Sequence, residues 1–258
     1  MVLRARRALL AAAAALAMPA RADLPSVFER LRVSVLPVGT YRATDSPRFG
    51  FRGSGFVVGD GSIVATNFHV LPPDADGPGA PLAVLVARSA GGGELRPAQV
   101  LARDRSHDLA LLKIEGAPLP PLALDPGDGA REGQAVALIG FPLGGALGFA
   151  PVVHRGIVAS RTQVALPAPN AHALDARTIT RLREGNVALL QLDAVAYPGN
   201  SGGPLFDADS GIVVGIVTMG LIKDTRESAI SVPTGITYAV PARYLRELLT
   251  DSVEPQTR

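Results

Sequence analysis

Beyond residue 30, short apolar runs rich in Val, Ile and Leu alternate with clusters of Gly, Pro and Asp. Runs of about four to nine residues bounded by turn-forming residues are typical of β-strands, and many in succession are typical of barrels and sandwiches. A parallel α/β fold would require a helical segment of roughly 10–15 residues between successive strands, and none is evident. The predicted strands are 32–38, 55–58, 62–66, 82–86, 109–114, 135–139, 152–160, 187–192, 212–218 and 235–240.

Two segments have a helical pattern instead. The first is short and covers 24–31. The second covers 242–249, where Pro241 is suited to the first turn and the apolar residues fall on one face of a helix. Those apolar residues are Tyr244, Leu245, Leu248 and Leu249. The composition of 89–97 predicts a surface loop, and the Pro- and Gly-rich stretch 118–133 is suited to separating two halves of the chain.

The composition favours a globular domain and excludes several kinds of site. Hydrophobic residues make up 47% of the 258 residues and charged residues 19%, which is enough apolar material for a core. The 28 glycines and 22 prolines indicate many turns and argue against a long helical bundle. Because cysteine is absent, disulfide scaffolds, cysteine-ligated metal sites and cysteine nucleophiles are excluded. No histidine pair has the spacing of a zinc site, so we expect neither a metal nor a cofactor.

Residues 1–22 have the layout of a secretory signal peptide. A basic start with three arginines precedes an unbroken apolar run, 8–17, and small residues occupy the positions before a predicted cleavage after Ala22. The run is shorter than the roughly 20 residues that a membrane-spanning helix needs. We therefore predict a periplasmic or secreted mature chain with no stable membrane span. An uncleaved anchor or an N-terminal core helix is the alternative.

The positive net charge of the full sequence comes from the predicted signal segment and does not indicate an anionic partner. The formal net charge is +2, from 25 basic and 23 acidic residues. Four of the basic residues lie in the predicted signal segment, which has no acidic residue. The mature chain would therefore carry 21 basic against 23 acidic residues, a net charge of −2. We expect no nucleic-acid partner.

The strongest local signal is the segment 197–204, Tyr-Pro-Gly-Asn-Ser-Gly-Gly-Pro, in which one serine stands among glycines. A serine nucleophile needs an exposed Oγ, room for the substrate carbonyl and backbone N–H groups that point at the oxygen which becomes negative. Glycine permits the required backbone angles and leaves that room. Taken alone, the segment also fits an ordinary glycine-rich turn.

The order of residues along the chain restricts the enzyme class. The serine motif also fits the Gly-x-Ser-x-Gly elbow of α/β-hydrolases, but that fold places its histidine after the serine, and all four histidines precede Ser201. His69 ends the apolar run of one predicted strand. Asp108 opens another, where a carboxylate is costly unless it is hydrogen-bonded. The order His69, Asp108, Ser201 is that of chymotrypsin-type barrels, although each residue taken singly also fits a structural role.

Around these positions the chain resembles the trypsin-like serine proteases of the HtrA/Deg type over about 33–249. The resemblance rests on Gly53-Ser-Gly-Phe56, Ala65-Thr-Asn-Phe-His-Val70, Asp108-Leu-Ala-Leu-Leu-Lys-Ile114, Gly140-Phe-Pro-Leu-Gly144, Gln191-Leu-Asp-Ala194, Gly199-Asn-Ser-Gly-Gly-Pro-Leu205 and Gly235-Ile-Thr-Tyr-Ala-Val-Pro241. It implies an all-β fold of two antiparallel six-stranded barrels, with the site between them and a short C-terminal helix. Within a protease domain at 23–258, the implied boundaries are about 32–125 for barrel one, 132–240 for barrel two and 241–250 for the helix.

The resemblance also implies a role for each candidate catalytic residue. Ser201 would be the nucleophile, His69 would take and return its proton, and Asp108 would orient the imidazole and stabilise its charged form. The backbone N–H groups of Gly199 and Ser201 would form the oxyanion hole.

The same alignment predicts a primary specificity pocket framed by Val195, Val217, Thr218 and Met219. None of these residues is acidic, so we expect a small or medium apolar side chain at P1, the substrate residue before the cleaved bond. Two positions depart from the family pattern. Tyr197 replaces a small polar residue beside the oxyanion turn, and Val217 replaces a polar residue that usually helps to orient the triad acid.

The leading hypothesis is a serine endopeptidase that acts on polypeptides, unfolded proteins among them, through an acyl-enzyme. Two alternatives stay open: a protease-fold protein that mainly binds unfolded chains, and an esterase that uses the same triad. We expect a protease domain only, with no PDZ domain. The family resemblance suggests a homotrimer. His107 is expected to be a bystander, and His154 and His172 are expected to lie on the surface or in loops.

Overall fold

The structure, a computed structural model, describes residues 23–73, 75, 82–87, 93–127, 129–144, 148–165, 186–218 and 235–253. The predicted signal segment 1–22 and Met219 lie outside the described residues. Within them the chain forms two α-helices and twelve strands. These are α1 (Leu24–Leu31), β1 (Val35–Tyr41), β2 (Phe49–Val58), β3 (Ile63–Thr66), β4 (Leu82–Ala87), β5 (Gly93–Asp104), β6 (Leu109–Ile114), β7 (Ala135–Gly140), β8 (Val152–Ala165), β9 (Asn186–Asp193), β10 (Pro204–Asp207), β11 (Val213–Thr218), β12 (Ile236–Pro241) and α2 (Ala242–Val253).

The strands close into two antiparallel six-stranded barrels, so the predicted all-β fold is confirmed. Barrel one has the strand order β1-β2-β3-β6-β5-β4, and barrel two has the order β7-β8-β9-β12-β11-β10. The predicted strands omit β5 and β10, and residues 93–97 of the expected loop 89–97 belong to β5. Their sequence includes Pro97 and lacks an apolar alternation, because this strand is only partly buried.

Three hydrophobic clusters form the core of the described structure. One fills barrel one, a second fills barrel two, and a third, here called the inter-barrel cluster, joins residues of both barrels and both helices. Strand β6 belongs to two of them, because successive side chains of a strand point to opposite faces. Leu109 and Leu111 enter the inter-barrel cluster, whereas Ala110 and Leu112 enter the core of barrel one. This double burial explains the nearly all-apolar sequence of β6.

Helix α1 packs on the inter-barrel cluster. Asp23 caps it by accepting a hydrogen bond from the Ser26 N–H over 3.3 Å, and a proline stands in its first turn. Its buried residues, Val27 and Leu31, belong to the cluster. No helix in the described part of the chain is long and apolar enough to cross a membrane.

Helix α2 contacts barrel one through the side chains of Tyr244, His107 and Asp104. The Tyr244 ring lies parallel to the His107 ring, with centroids 3.8 Å apart. His107 Nδ1 is in turn 2.5 Å from Asp104 Oδ2, at the end of β5. Burial by itself raises the pKa of the Asp104 carboxyl, but the hydrogen bonds from His107 and Ser106 and the attraction of His107 outweigh it. The pKa of Asp104 therefore lies well below its usual value.

We predict that Asp104→Asn lowers the free energy of unfolding at pH 7 by about 1–2 kcal/mol. Since the folded-state pKa of Asp104 is below its ordinary value of 3.8, the carboxylate stabilises the fold above about pH 4. That contribution is lost as the pH falls further. Urea unfolding at pH 7 and pH 3 measures the difference between the two proteins, which should shrink at pH 3.

The control for this test is Glu29→Gln, which breaks the exposed ion pair with Arg32. It should change the free energy of unfolding by less than about 0.5 kcal/mol. An Asp104→Asn deficit that is the same at both pH values would show that the charge of Asp104 is not what stabilises this contact.

Candidate active site

His69 lies in the short 3₁₀ turn Phe68–Val70 that follows β3. Its Nδ1 is 2.7 Å from Asp108 Oδ2, and its backbone N–H donates to Asp108 Oδ1 over 2.9 Å. The two carbonyls that follow His69 accept hydrogen bonds from the Arg52 guanidinium, which holds the turn in place. An imidazole that donates through Nδ1 to a carboxylate keeps its other nitrogen, Nε2, available to accept a proton.

Asp108 is buried, with 4% of its surface exposed, at the start of β6. The Thr218 hydroxyl donates to its Oδ2 over 2.7 Å, so the carboxylate accepts hydrogen bonds from both barrels. Its φ of 54° is in the left-handed region, which Asp adopts more readily than most residues. Phe68 and Asn67 both donate to its carbonyl over 3.0 Å. These bonds hold the strained backbone in place.

Ser201 lies in the connection between β9 and β10, with 6% of its surface exposed. Its carbonyl accepts from the Ser54 N–H of β2 over 2.8 Å. The next residue, Gly202, donates to the Val217 carbonyl of β11 over 2.9 Å. In the described part of the chain no hydrogen bond joins Ser201 Oγ to His69 Nε2. In unliganded active sites this bond is often long and tightens when substrate binds.

Glycine is required on both sides of Ser201 for steric reasons. Gly199 has a φ of +103°, and a Cβ there would lie 2.3 Å from the Phe141 carbonyl oxygen. Gly202 has a φ of +85°, and a Cβ there would lie 2.1 Å from the Ser54 carbonyl oxygen. Any side chain would therefore push against backbone atoms that cannot easily move, in a conformation that other residues rarely adopt.

The turn before Ser201 leaves two backbone donors without partners. Among the described residues, neither the Gly199 N–H nor the Ser201 N–H donates a hydrogen bond. The Pro198 carbonyl accepts from the Leu143 N–H over 2.8 Å. Because the C=O and N–H of a trans peptide point in opposite directions, this bond turns the Gly199 N–H away from Leu143. Two unpaired N–H groups beside a serine hydroxyl can bind an oxygen that becomes negative.

Two of the residues predicted to frame the specificity pocket have side chains with other contacts in the structure. Val217 is fully buried in the core of barrel two, so its side chain does not face a substrate. The Thr218 hydroxyl is bound to Asp108. Thr218, and not Val217, therefore stands where a polar residue orients the acid, and the expected departure at Val217 is wrong. Val195 is half-buried, and Met219 lies outside the described residues.

The other described histidines have structural contacts. His107 binds Asp104 and Tyr244, as described above. His154 is on strand β8 and half-buried, so it does not lie in a loop. His172 lies outside the described residues. Its ring lies 5.7 Å from the Tyr197 ring, and burial lowers the pKa of His154. The described residues do not bring together three or more His, Cys, Asp or Glu side chains that could hold a metal ion.

Sequence reasoning assigned no role to Ser54. The only signal was its place in the motif Gly53-Ser-Gly-Phe56, and nothing in that motif indicates what the side chain contacts. In the structure Ser54 is fully buried and bound to the turn that contains Gly199 and to the nucleophile segment.

Comparison with protein families gives one match to more than half of the chain. The model of the trypsin-like peptidase domain matches residues 53–216. This range contains the three candidate catalytic positions and most of both barrels.

Two curated relatives illustrate the similarity. A probable periplasmic serine endoprotease DegP-like from Pseudomonas fluorescens is 37% identical over 164 residues, which cover 64% of this chain and 28% of that protein. Serine protease HTRA1 from Xenopus tropicalis is 31% identical over 206 residues, which cover 80% of this chain and 37% of that protein. The matched part of the chain thus spans less than half the length of these relatives.

Two solved structures of similar fold superimpose on most of this chain. The crystal structure of Deg5 superimposes with a TM-score of 0.62 at 25% identity, over 86% of this chain and 90% of that one. An HtrA-type protease, AlgW with a tripeptide, superimposes with a TM-score of 0.60 at 25% identity, over 90% of this chain and 64% of that one.

We predict that Gly202→Ala lowers the free energy of unfolding by about 3 kcal/mol or more, because the new methyl group meets a backbone carbonyl in addition to the strained φ. The matched control is Gly133→Ala. Gly133 has a similar φ of +77°, but a Cβ there would meet no atom within 4 Å. The control should therefore lose only about 1 kcal/mol. Equal losses for the two variants in urea unfolding would contradict the close packing around Gly202.

Proposed function

The chain belongs to the trypsin-like peptidase family, and we propose that it is a serine endopeptidase of the HtrA type that hydrolyses polypeptide substrates. One observation carries the proposal: a histidine held by a buried carboxylate occurs together with a glycine-framed serine turn that has two unpaired N–H groups. The names of its relatives, a serine endoprotease and a serine protease, support the same activity.

In the proposed acylation step, Ser201 Oγ attacks the carbonyl carbon of the scissile bond while His69 Nε2 takes the hydroxyl proton. The carbonyl oxygen becomes negative and accepts hydrogen bonds from the Gly199 and Ser201 N–H groups. Each such donor is worth on the order of 10²–10³ in rate. The imidazolium gives its proton to the leaving amine as the C–N bond breaks, and the acyl group stays on Ser201 Oγ.

In the proposed deacylation step, a water molecule takes the place of the amine. His69 Nε2 accepts its proton as the water oxygen attacks the acyl carbon, and the proton then returns to Ser201 Oγ as the ester bond breaks. Asp108 remains ionised throughout and stabilises the imidazolium. The bond from Thr218 to Asp108 supports this role, because it fixes the carboxylate from the side of barrel two.

For specificity, we propose a preference for a small or medium apolar P1 residue. Val195 is the described residue that supports this preference, since it is apolar and half-buried. The side chain of Val217 is buried in the core of barrel two, and that of Thr218 is hydrogen-bonded to Asp108. The pocket would therefore be lined on that strand by backbone atoms.

We further propose that the protein is exported and acts in the periplasm. The layout of residues 1–22 supports export, and the relative from Pseudomonas fluorescens is described as periplasmic. The domain boundaries at 22/23 and a homotrimeric assembly stay predictions from the sequence and the family resemblance.

We predict that the wild-type protein is labelled by a fluorophosphonate probe and cleaves unfolded casein, whereas Ser201→Ala does neither, because the probe and the acyl group need the Ser201 Oγ. Ser210→Ala, an exposed serine in the β10–β11 connection, is the control and should retain both properties. No labelling of the wild type would count against any serine hydrolase. Labelling without casein cleavage would favour an esterase or a chain-binding protein.

We also predict that Asp108→Asn lowers kcat by about 10⁴-fold, since loss of the acid of a triad removes the group that selects the reactive imidazole tautomer. Asp60→Asn, at an exposed acid on barrel one, should leave kcat within about twofold. Steady-state hydrolysis of a fluorogenic peptide measures both variants. A decrease of less than tenfold for Asp108→Asn would remove Asp108 from its proposed role.

A further inference from the structure

The hydroxyl of Ser54 connects barrel one to the turn before the nucleophile. Ser54 is on β2 and fully buried. Its Oγ donates to the Gly199 carbonyl over 2.6 Å and accepts from the Phe141 N–H over 3.1 Å. Its own N–H donates to the Ser201 carbonyl over 2.8 Å. One residue of barrel one therefore binds two segments of barrel two, the turn at 199–201 and the segment at Phe141 that follows β7.

The Gly199 N–H needs such bonds because glycine has little preference for a backbone conformation. This N–H belongs to the Pro198–Gly199 peptide, and its direction relative to the Ser201 N–H also depends on the Gly199–Asn200 peptide, which lies between the two donors. The preceding carbonyl, that of Pro198, is held by the Leu143 N–H. The following carbonyl, that of Gly199 itself, is held by Ser54 Oγ. Both peptide planes are thus fixed by atoms outside the turn, and with them the direction of the Gly199 N–H relative to the Ser201 N–H.

We propose that Ser54 is a positioning residue that holds the oxyanion turn in its reactive conformation. The inference rests on the proposed function, because it assigns the Gly199 N–H to the oxyanion hole. Without the hydroxyl, the Gly199 carbonyl and the Phe141 N–H would both be buried without a partner, which is costly. Rotation of the Gly199–Asn200 peptide would relieve this cost, but it would change the direction of the Gly199 N–H relative to the Ser201 N–H.

A second buried hydroxyl, that of Thr237, provides a matched comparison. Thr237 on β12 is also buried, and its Oγ1 donates to the Ala194 carbonyl over 2.7 Å and accepts from the Ala196 N–H over 3.0 Å. It makes the same pair of hydrogen bonds as Ser54 Oγ, but its partners flank Val195, on the proposed P1 side of the site, and do not include Gly199. Thr237→Val therefore removes equivalent bonds without removing a contact to the oxyanion turn, so its effect on peptide hydrolysis should be on KM and not on kcat.

The experiment compares Ser54→Ala and Thr237→Val with the wild type in peptide hydrolysis and urea unfolding. We expect both variants to lose stability, but only Ser54→Ala to lose kcat, by about 10–100-fold with KM within about threefold. This range lies below the full worth of one oxyanion donor, on the order of 10²–10³, because the donor is misdirected and not removed. The inhibition constant of a peptidyl trifluoromethyl ketone, which forms an oxyanion with the serine, should rise by a similar factor.

Hydrogen–deuterium exchange gives a readout that does not depend on activity. The N–H groups of Asn200 and Gly203 close the turn through bonds to Tyr197 and Asn200. In Ser54→Ala, peptides spanning these residues should exchange at least about fivefold faster than in the wild type or in Thr237→Val.

The outcomes separate the two proposals. A Ser54→Ala enzyme that is destabilised but keeps kcat within threefold of an active wild type would overturn the role of Ser54 and leave the protease intact. A wild type with no labelling and no cleavage would overturn the proposed function. In an inactive protein of this kind, hydrogen–deuterium exchange at 200–203 would still test Ser54. Unchanged exchange in Ser54→Ala would overturn the proposal that Ser54 positions the turn, and faster exchange would support it.

Discussion

The buried carboxylate of Asp108 is the group on which the rest of the site depends. A charge removed from water is costly unless hydrogen bonds replace the lost solvent. Asp108 obtains two such bonds from His69 in barrel one and a third from Thr218 in barrel two. The carboxylate is therefore fully bonded only when both barrels are packed together. Folding, barrel packing and the orientation of the imidazole are consequences of the same set of contacts.

The strands that carry these residues are buried on both faces, which makes the arrangement rigid. Alternate residues of β6 enter the core of barrel one and the inter-barrel cluster, so Asp108 begins a strand that cannot shift or rotate. Strand β11 is also buried on both faces. Ile216 enters the inter-barrel cluster and Val217 the core of barrel two. The next residue, Thr218, is thereby directed to the interface, where it reaches Asp108.

Much of the fold and part of the site could be predicted from the sequence, and the errors have physical causes. Strands with buried faces are visible as apolar runs, whereas the partly exposed β5 resembles a loop because its side chains face water and it contains Pro97. The candidate triad follows from the order of His69, Asp108 and Ser201 along the chain. The off-by-one assignment at Val217 came from alignment with the family pattern, which does not show the neighbour that each face of a strand meets.

The sequence by itself determined ten of the twelve described strands, the positions where only glycine fits, and which three side chains can form a nucleophile, a base and an acid. It did so because the alternation of side chains along a strand, the conformational freedom of glycine and the chemical type of each side chain are local properties. Only the tertiary structure decided that Thr218 binds Asp108 and that Ser54 binds the carbonyl of Gly199. These partners are 110 and 145 residues apart along the chain. Their contacts exist because the barrels pack through a shared apolar cluster, and no local pattern specifies which polar atoms meet across that interface.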